Sequence, residues 1–177
     1  NISRILGFRP SWATAFGFAN DGSRIAVASA DGWVHFVDLK TWDLSGRIPV
    51  FADVPPHCAG VIAFSPDDTR IVAATEHFSA YGQLPKPVRV VSATDGRVIA
   101  SHKGDQLTRF VAWLPASGLV AFAGVDGKLV LWDPDVPGAS MLAKQVSPLG
   151  NAFATTADGR RLAVAEGETL ELFQINR

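Results

Sequence analysis

Short apolar runs alternate with turn sequences along the whole chain. The clearest example is residues 118–133, G-L-V-A-F-A-G-V-D-G-K-L-V-L-W-D, where two apolar runs flank Asp126-Gly127 and the second run ends at Trp132-Asp133. Apolar and β-branched runs bounded by Gly, Asp, Asn and Pro are typical of β-strands, and an Asp-Gly pair between two such runs is typical of a β-hairpin. The pattern therefore predicts an all-β chain built from hairpins.

The hairpin pattern occurs four times along the chain. When the four copies are aligned on the turn between their first two strands, equivalent positions recur at intervals of about 42 to 49 residues, and repeats of about this length are typical of solenoids and propellers. The equivalent positions are Phe18, Phe64, Trp113 and Thr155 at the end of the first strand, and Ile25, Ile71, Val120 and Leu162 at the start of the second.

Bulky residues alternate with alanines in the second strand of three copies, as in Ile25-Ala26-Val27-Ala28. A strand with apolar residues on both faces is typical of a sheet that is buried on both sides. We therefore expect a row of stacked sheets, each packed between two neighbours. The side chains predicted to be buried between sheets are Phe18, Phe64, Trp113, Ile25, Ile71, Val120, Leu162, Val34, Val90, Leu131 and Leu172.

The repeat divides the chain into four sheets at about residues 13–50, 58–102, 109–146 and 150–177. The first three sheets have room for four strands and the last has room for three. We expect residues 3–6, Ser-Arg-Ile-Leu, to supply the missing strand, because closing a ring with one terminus removes an exposed sheet edge.

These motifs resemble those of the WD40-type β-propeller family, over about residues 13–175. The resemblance is carried by Asp126-Gly127 with Trp132-Asp133, by Ala63-Phe64-Ser65-Pro66-Asp67-Asp68, and by Asp31-Gly32 with Val37-Asp38. It implies a divergent WD40-like propeller with blades of four antiparallel strands, and a role as a scaffold for protein–protein interaction or complex assembly.

The chain departs from the family pattern at two kinds of position. Arg9, Pro55 and Gly104 stand where the family places a Gly-His pair before each blade. The family's buried network of His, Ser or Thr, Asp and Trp is also incomplete, because Asp126 and Trp132 fit two of its positions but Phe122 replaces the hydroxyl.

The size of the ring follows from the small residues on the blade faces. A ring of four turns each blade by about 90°, whereas a ring of eight turns each by about 45°. Alanine-lined faces suit the shallower angle, because a wide angle needs bulky side chains to fill the wedge. We therefore expect the four blades to belong to a seven- or eight-bladed ring, completed by a second copy of the chain or by further blades on the same or another chain.

Composition narrows the class of partner. The chain of 177 residues has 16 basic and 17 acidic residues and a net charge of −1, so nucleic acid is not an expected partner. No apolar run reaches the roughly 18 residues of a membrane span, and 47% hydrophobic residues predict a soluble, folded domain. The single cysteine, Cys58, excludes an internal disulfide. Because the chain begins at Asn1, we expect either a processed chain or part of a longer one.

No residue pattern predicts a metal, a cofactor or a catalytic centre. Acidic residues that recur at turns are interpreted as turn residues; they are Asp31, Asp38, Asp126 and Asp133. The histidines have no metal-ligand spacing; they are His35, His57, His77 and His102. The alternative that stays open is the propeller domain of an enzyme or redox complex, with a substrate or cofactor in its central channel.

The best candidate for a binding surface is the connection at 75–87, T-E-H-F-S-A-Y-G-Q-L-P-K-P, which is longer than its counterparts in the other repeats. Aromatic residues in a proline-stiffened loop suit a protein interface, because they bury a large area at a low entropic cost. A loop with one aromatic residue packed on its own blade is the alternative. The predicted partner-binding residues are His77, Phe78 and Tyr81 in this loop, and Trp12, Trp33 and Trp42 at strand starts or turns.

Overall fold

A computed structural model describes residues 12–53, 59–75, 87–104, 107–145 and 151–175. These residues form fifteen β-strands in four antiparallel sheets, which are the blades of a β-propeller. Within the described ranges, no helix is long and apolar enough to cross a membrane. The predicted closing strand at 3–6 lies outside the described residues.

Each blade follows the order of the chain, from an inner first strand to the outermost strand. Blade 1 consists of β1 (Ala13–Phe18), β2 (Arg24–Ser29), β3 (Trp33–Asp38) and β4 (Leu44–Pro49). Blade 2 consists of β5 (Ala59–Phe64), β6 (Arg70–Thr75), β7 (Val88–Ser92) and β8 (Val98–His102). Blade 3 consists of β9 (Thr108–Leu114), β10 (Leu119–Gly124), β11 (Lys128–Trp132) and β12 (Ser140–Gln145). Blade 4 has three described strands, β13 (Asn151–Thr155), β14 (Arg161–Glu166) and β15 (Thr169–Gln174).

The strand register confirms the repeat alignment. The two positions aligned in each copy are direct cross-strand partners in all four blades: Phe18 with Ile25, Phe64 with Ile71, Trp113 with Val120 and Thr155 with Leu162. Since side chains alternate between the two faces of a strand, this register places the same repeat position on the same face of every blade.

Each blade has a front face toward the preceding blade and a back face toward the following blade. Three clusters fill the three junctions between successive blades. At the junction of blades 2 and 3, for example, Val72 and Val90 of the blade 2 back face pack with Trp113, Val120 and Phe122 of the blade 3 front face. Of the residues predicted to be buried, these are buried: Phe64, Trp113, Ile71, Val120, Leu162, Val34, Val90 and Leu131.

Three of the burial predictions fail, and all three concern the ends of the row. Phe18 on the front face of blade 1 is 59% exposed and Ile25 beside it is only half-buried. Leu172 on the back face of blade 4 is 71% exposed. The physical reason is that no blade precedes blade 1 and none follows blade 4 among the described residues, so these apolar faces lack the neighbour that covers the same positions elsewhere. Leu172 also lies on the outermost described strand of its blade, whereas its equivalents lie on strands that pair with a fourth strand.

Blades 1 and 2 begin at the same end, which we call the upper end. The hydroxyl of Thr14 near the start of β1 donates to the carbonyl of Ala59 at the start of β5, over 2.6 Å. The opposite, lower end carries the turns between first and second strands. There the Asp68 carboxylate accepts hydrogen bonds from the backbone N–H of Asn20 (2.8 Å) and of Asp21 (3.0 Å). Blades 1 and 2 are therefore joined by hydrogen bonds at both ends.

Candidate functional site

Two of the predicted tryptophans lie at the upper end of blade 1. Trp12 directly precedes β1, its side chain is 85% exposed, and its carbonyl accepts a hydrogen bond from Ala30 N in the β2–β3 turn (2.9 Å). Trp33 starts β3 on the other side of the same turn, and the Arg47 guanidinium lies 4.4 Å from the centre of its ring. Trp33 is half-buried and held in place by a cation–π contact, whereas Trp12 projects into solvent.

Trp42 lies at the other end of the blade and does not join this pair. It belongs to the turn between β3 and β4, where its backbone N–H donates to Asp38 O (2.8 Å) and its φ is 63°. A tryptophan with positive φ is uncommon, and a turn conformation imposes it here. The three predicted tryptophans therefore do not form one patch.

The long connection between β6 and β7 starts and ends at the upper end, like the β2–β3 turn of blade 1. His77, Phe78 and Tyr81 lie outside the described residues. Thr75, on its first side, is buried, and its hydroxyl has no hydrogen-bond partner within the described structure. Thr75 pairs with Ala59, so β6 ends beside the first residue of β5.

An arginine anchors the far side of this connection to blade 1. The Arg89 guanidinium donates to both carboxylate oxygens of Asp53, at 2.6 and 3.0 Å, and to the carbonyl of Val50 at 2.8 Å. It also lies 5.2 Å from the centre of the Phe51 ring. The hydrogen bond from Arg89 holds the pKa of Asp53 below its ordinary value. Sequence reasoning missed this pair, because residues 53 and 89 lie on different blades and no local pattern connects them.

The four recurrent acidic residues hold their own turns. Asp31 accepts hydrogen bonds from the Ser29 hydroxyl and from its own turn's backbone. Asp38 accepts from two backbone N–H groups, of Lys40 (2.8 Å) and of Thr41 (2.9 Å), and these bonds lower its pKa. Asp126 and Asp133 make equivalent bonds to backbone N–H groups two residues ahead. The interpretation of these acids as turn residues is confirmed.

A histidine that carried no sequence signal packs across the junction of blades 2 and 3. The imidazole of His102, at the end of β8, lies 4.9 Å from the Phe122 ring and 5.8 Å from the Trp132 ring, centre to centre. Its Nε2 is 3.1 Å from the Ser140 hydroxyl. The adjoining cavity, which Asp126 also lines, has a volume of about 50 Å³, enough for water but not for a substrate or cofactor.

The inner strands β1, β5, β9 and β13 line the side of the blades that faces the central channel. Here the chain forms an open pocket of about 290 Å³ whose wall includes Phe16, Ile62 and Phe110. Arg109 is the one charged residue among its described lining residues. Within the described part of the chain, no group of three His, Cys, Asp or Glu side chains is placed to hold a metal ion.

Comparison with known proteins agrees with the architecture. No protein-family model and no curated protein matches the sequence. The computationally designed Ika4 protein is similar in structure, with a TM-score of 0.70 and 16% identity over 98% of this chain and 96% of that chain. The Cps50 (Swd1) β-propeller domain of Myceliophteria thermophila is also similar, with a TM-score of 0.74 and 15% identity over 94% of this chain and 55% of that chain. At these identities the likeness shows the fold: the chain is a β-propeller and spans about half of the larger domain.

Proposed function

We propose that the chain is a divergent WD40-like propeller that acts as a non-enzymatic scaffold and binds another protein through the upper end of blades 1 and 2. The observation that carries this proposal is the exposure of Trp12, 85%, on a surface that also holds Trp33 and both ends of the 75–87 connection. A large aromatic side chain that is exposed to solvent is typical of an interface anchor, because a partner that covers it removes nearly all of its apolar surface from water.

The supports beneath this surface favour binding without rearrangement. Trp33 is fixed by Arg47, and the base of the 75–87 connection is fixed by the bidentate pair of Arg89 and Asp53. A surface whose supports are already ordered loses less conformational entropy when a partner docks. The described residues next to Trp12 and at the two ends of the connection are therefore held in place before a partner binds.

The residues that line the channel pocket favour a scaffold function over an enzymatic one. General acid–base or nucleophilic chemistry needs a titratable or nucleophilic group beside a second group that activates it. The described wall of the channel pocket has one charged residue, Arg109, among apolar residues, Gly60 and Thr14. This composition supports a structural role for the channel.

Two tryptophans provide a matched test of the binding surface. A photo-crosslinking amino acid at position 12, introduced into the chain in its own cells, identifies the bound protein, and position 42 at the other end serves as the control. With that protein purified, Trp12→Ala is expected to weaken binding at least about tenfold, as loss of an interface anchor does. Trp42→Ala is expected to leave the affinity unchanged. Equal effects of the two substitutions, or none, would contradict the proposal.

The 75–87 connection is tested by shortening it to an Asp-Gly turn. We expect the propeller to keep its circular dichroism spectrum and melting temperature, because the other blades make this connection with short turns. Binding to the protein identified above is expected to be lost. Retention of full affinity by the shortened chain would remove the connection from the proposed surface.

A further inference from the structure

The two open faces of the row are the two halves of one blade junction. The back face of blade 4 exposes Leu170 and Leu172 beside four alanines, and the front face of blade 1 exposes Phe16 and Phe18. The four alanines are Ala152, Ala154, Ala163 and Ala165. Every junction inside the chain likewise packs the back face of one blade on the front face of the next.

Equivalent positions show what each open face lacks. Leu172 pairs with Ala163 in β14, as Leu131 pairs with Ala121 and Phe36 with Ala26. Leu131 is 7% exposed and Phe36 is 5% exposed, against 71% for Leu172. Leu131 and Phe36 are covered by the following blade, and their strands pair with a fourth strand. Among the described residues, Leu172 has neither a following blade nor a fourth strand beside it.

The front face of blade 1 gives the same result. Phe18 is 59% exposed, whereas Phe64 and Trp113 at the same position are 6% and 7% exposed. Two other residues of this face, Val27 and Val37, are buried, so the open part is the inner strand β1. Phe16 and Phe18 contact each other edge-to-face, with ring centres 6.4 Å apart, and present their outer surfaces to solvent.

From this complementarity we infer that the back face of blade 4 packs on the front face of blade 1 of a second copy of the chain, so that two copies close one eight-bladed ring. One chain superimposes on about half of a larger propeller domain, so its arc leaves room for about as many blades again. A two-fold axis then forms both missing junctions at once, and the closed ring stops further addition. Eight blades lie within the usual range for propellers.

The occupant is a second copy because both halves of the missing junction are present on the same chain. Phe16 and Phe18 meet small alanines in such a junction, as Trp113 and Phe122 meet Ala63 and Ala74 between blades 2 and 3. This surface is separate from the upper end of blades 1 and 2, so the pairing does not depend on the proposed partner site.

Light scattering after size-exclusion chromatography tests the pairing across a concentration series. The wild-type chain is expected to elute as a dimer, with twice the 18.8 kDa of one chain. Phe18→Lys and Leu172→Glu are each expected to produce a folded monomer, with a dissociation constant raised at least about 100-fold, because each substitution damages both junctions of the ring. Val136→Lys and Val136→Glu, at an exposed apolar residue outside both faces, are the matched controls and are expected to stay dimeric.

Mixing the two monomeric variants distinguishes head-to-tail closure from pairing of like faces. In the mixed dimer one junction has wild-type Phe18 against wild-type Leu172, and the other places the introduced lysine opposite the introduced glutamate. We expect a mixture of Phe18→Lys and Leu172→Glu to recover dimers. A wild-type monomer, an open polymer, a dimer that survives either substitution, or a mixture that stays monomeric would overturn the inference. Circular dichroism of each variant establishes that it is folded.

Discussion

Blades 1 and 3 contain the same structural unit in different surroundings. Trp113 of blade 3 is buried, its indole N–H donates to the carbonyl of Ala63 in blade 2 at 3.3 Å, and the Arg70 guanidinium lies 5.1 Å from the centre of its ring. Phe18 of blade 1 has the same register position but no blade in front of it. The repeat pattern thus sets the conformation of a position, whereas the neighbouring blade sets how much that position stabilises the fold.

The largest effect expected from this difference is at Trp113. Trp113→Ala should lower the free energy of unfolding by about 3–5 kcal/mol, because it leaves a cavity between two blades. Phe18→Ala should cost below about 1 kcal/mol in a monomeric chain, because its side chain is already mostly hydrated. Both are measured by urea unfolding followed by circular dichroism, in a Leu172→Glu background that keeps the chain monomeric. Similar losses of unfolding free energy at the two positions would contradict the conclusion that the neighbouring blade sets the contribution of each position.

Two glycines at equivalent turns test whether a preceding blade also restricts substitution at a turn. Gly22 in blade 1 and Gly159 in blade 4 have φ values of 70° and 67°. A Cβ at position 159 would lie 2.4 Å from Cδ of Pro115 in the preceding blade, whereas a Cβ at position 22 would have nothing within 4 Å. Gly22→Ala should therefore cost about 1 kcal/mol for the left-handed conformation alone.

Gly159→Ala should lower the free energy of unfolding by about 2–4 kcal/mol. The new methyl group would clash with blade 3, and this cost adds to that of the left-handed backbone conformation. Thermal and urea unfolding of the two variants measure the difference. A Gly22→Ala variant as unstable as Gly159→Ala would mean that another part of the chain already covers the front of blade 1.

A third prediction concerns the hydrogen bonds that join the turns of neighbouring blades. Asp68, with a φ of 57°, binds the backbone of Asn20 and Asp21 in blade 1. Asp68→Asn tolerates that φ but places an amide donor against a backbone donor, and should cost about 1–2 kcal/mol. Asp21→Asn is the control, because the Asp21 carboxylate binds Ser23 N within its own turn (2.8 Å), and its loss should be about 0.5 kcal/mol or less.

The smallest expected effect is on the acid dependence of stability. The Ser65 hydroxyl, which donates to Asp67 over 2.6 Å, lowers the pKa of Asp67, with Thr69 adding to the effect. A carboxyl whose pKa is lower in the folded than in the unfolded chain stabilises the fold above the unfolded pKa, about 3.9 for Asp. That contribution is lost as the pH falls through the folded value. Asp67→Asn should therefore give a shallower fall in melting temperature below about pH 4, and an unchanged acid profile would rule out this contribution.

The local features of the fold were predictable from the sequence. The two apolar runs that flank Asp126-Gly127 were predicted to form a hairpin, and they form β10 (Leu119–Gly124) and β11 (Lys128–Trp132). The register was predictable as well, because turn residues and the two-residue period of a strand specify it within each hairpin. The same holds for the turn acids, whose hydrogen bonds reach only two or three residues along the chain.

The candidate site was less predictable. Sequence reasoning selected Trp12, Trp33 and Trp42 together, but it did not assign them to one end or the other of blade 1. It also did not connect Asp53 with Arg89, or His102 with Phe122. These contacts join different blades, so they depend on how sheets pack and not on the pattern within any one of them.

By itself, the sequence determined which residues form strands, where the turns lie and which face of each blade a side chain occupies. Those properties depend on backbone sterics and on residues a few positions apart. Only the tertiary structure decided that Trp113 is buried while Phe18 and Leu172 are open, because burial depends on whether another sheet covers the face, and strand periodicity is the same with or without that neighbour.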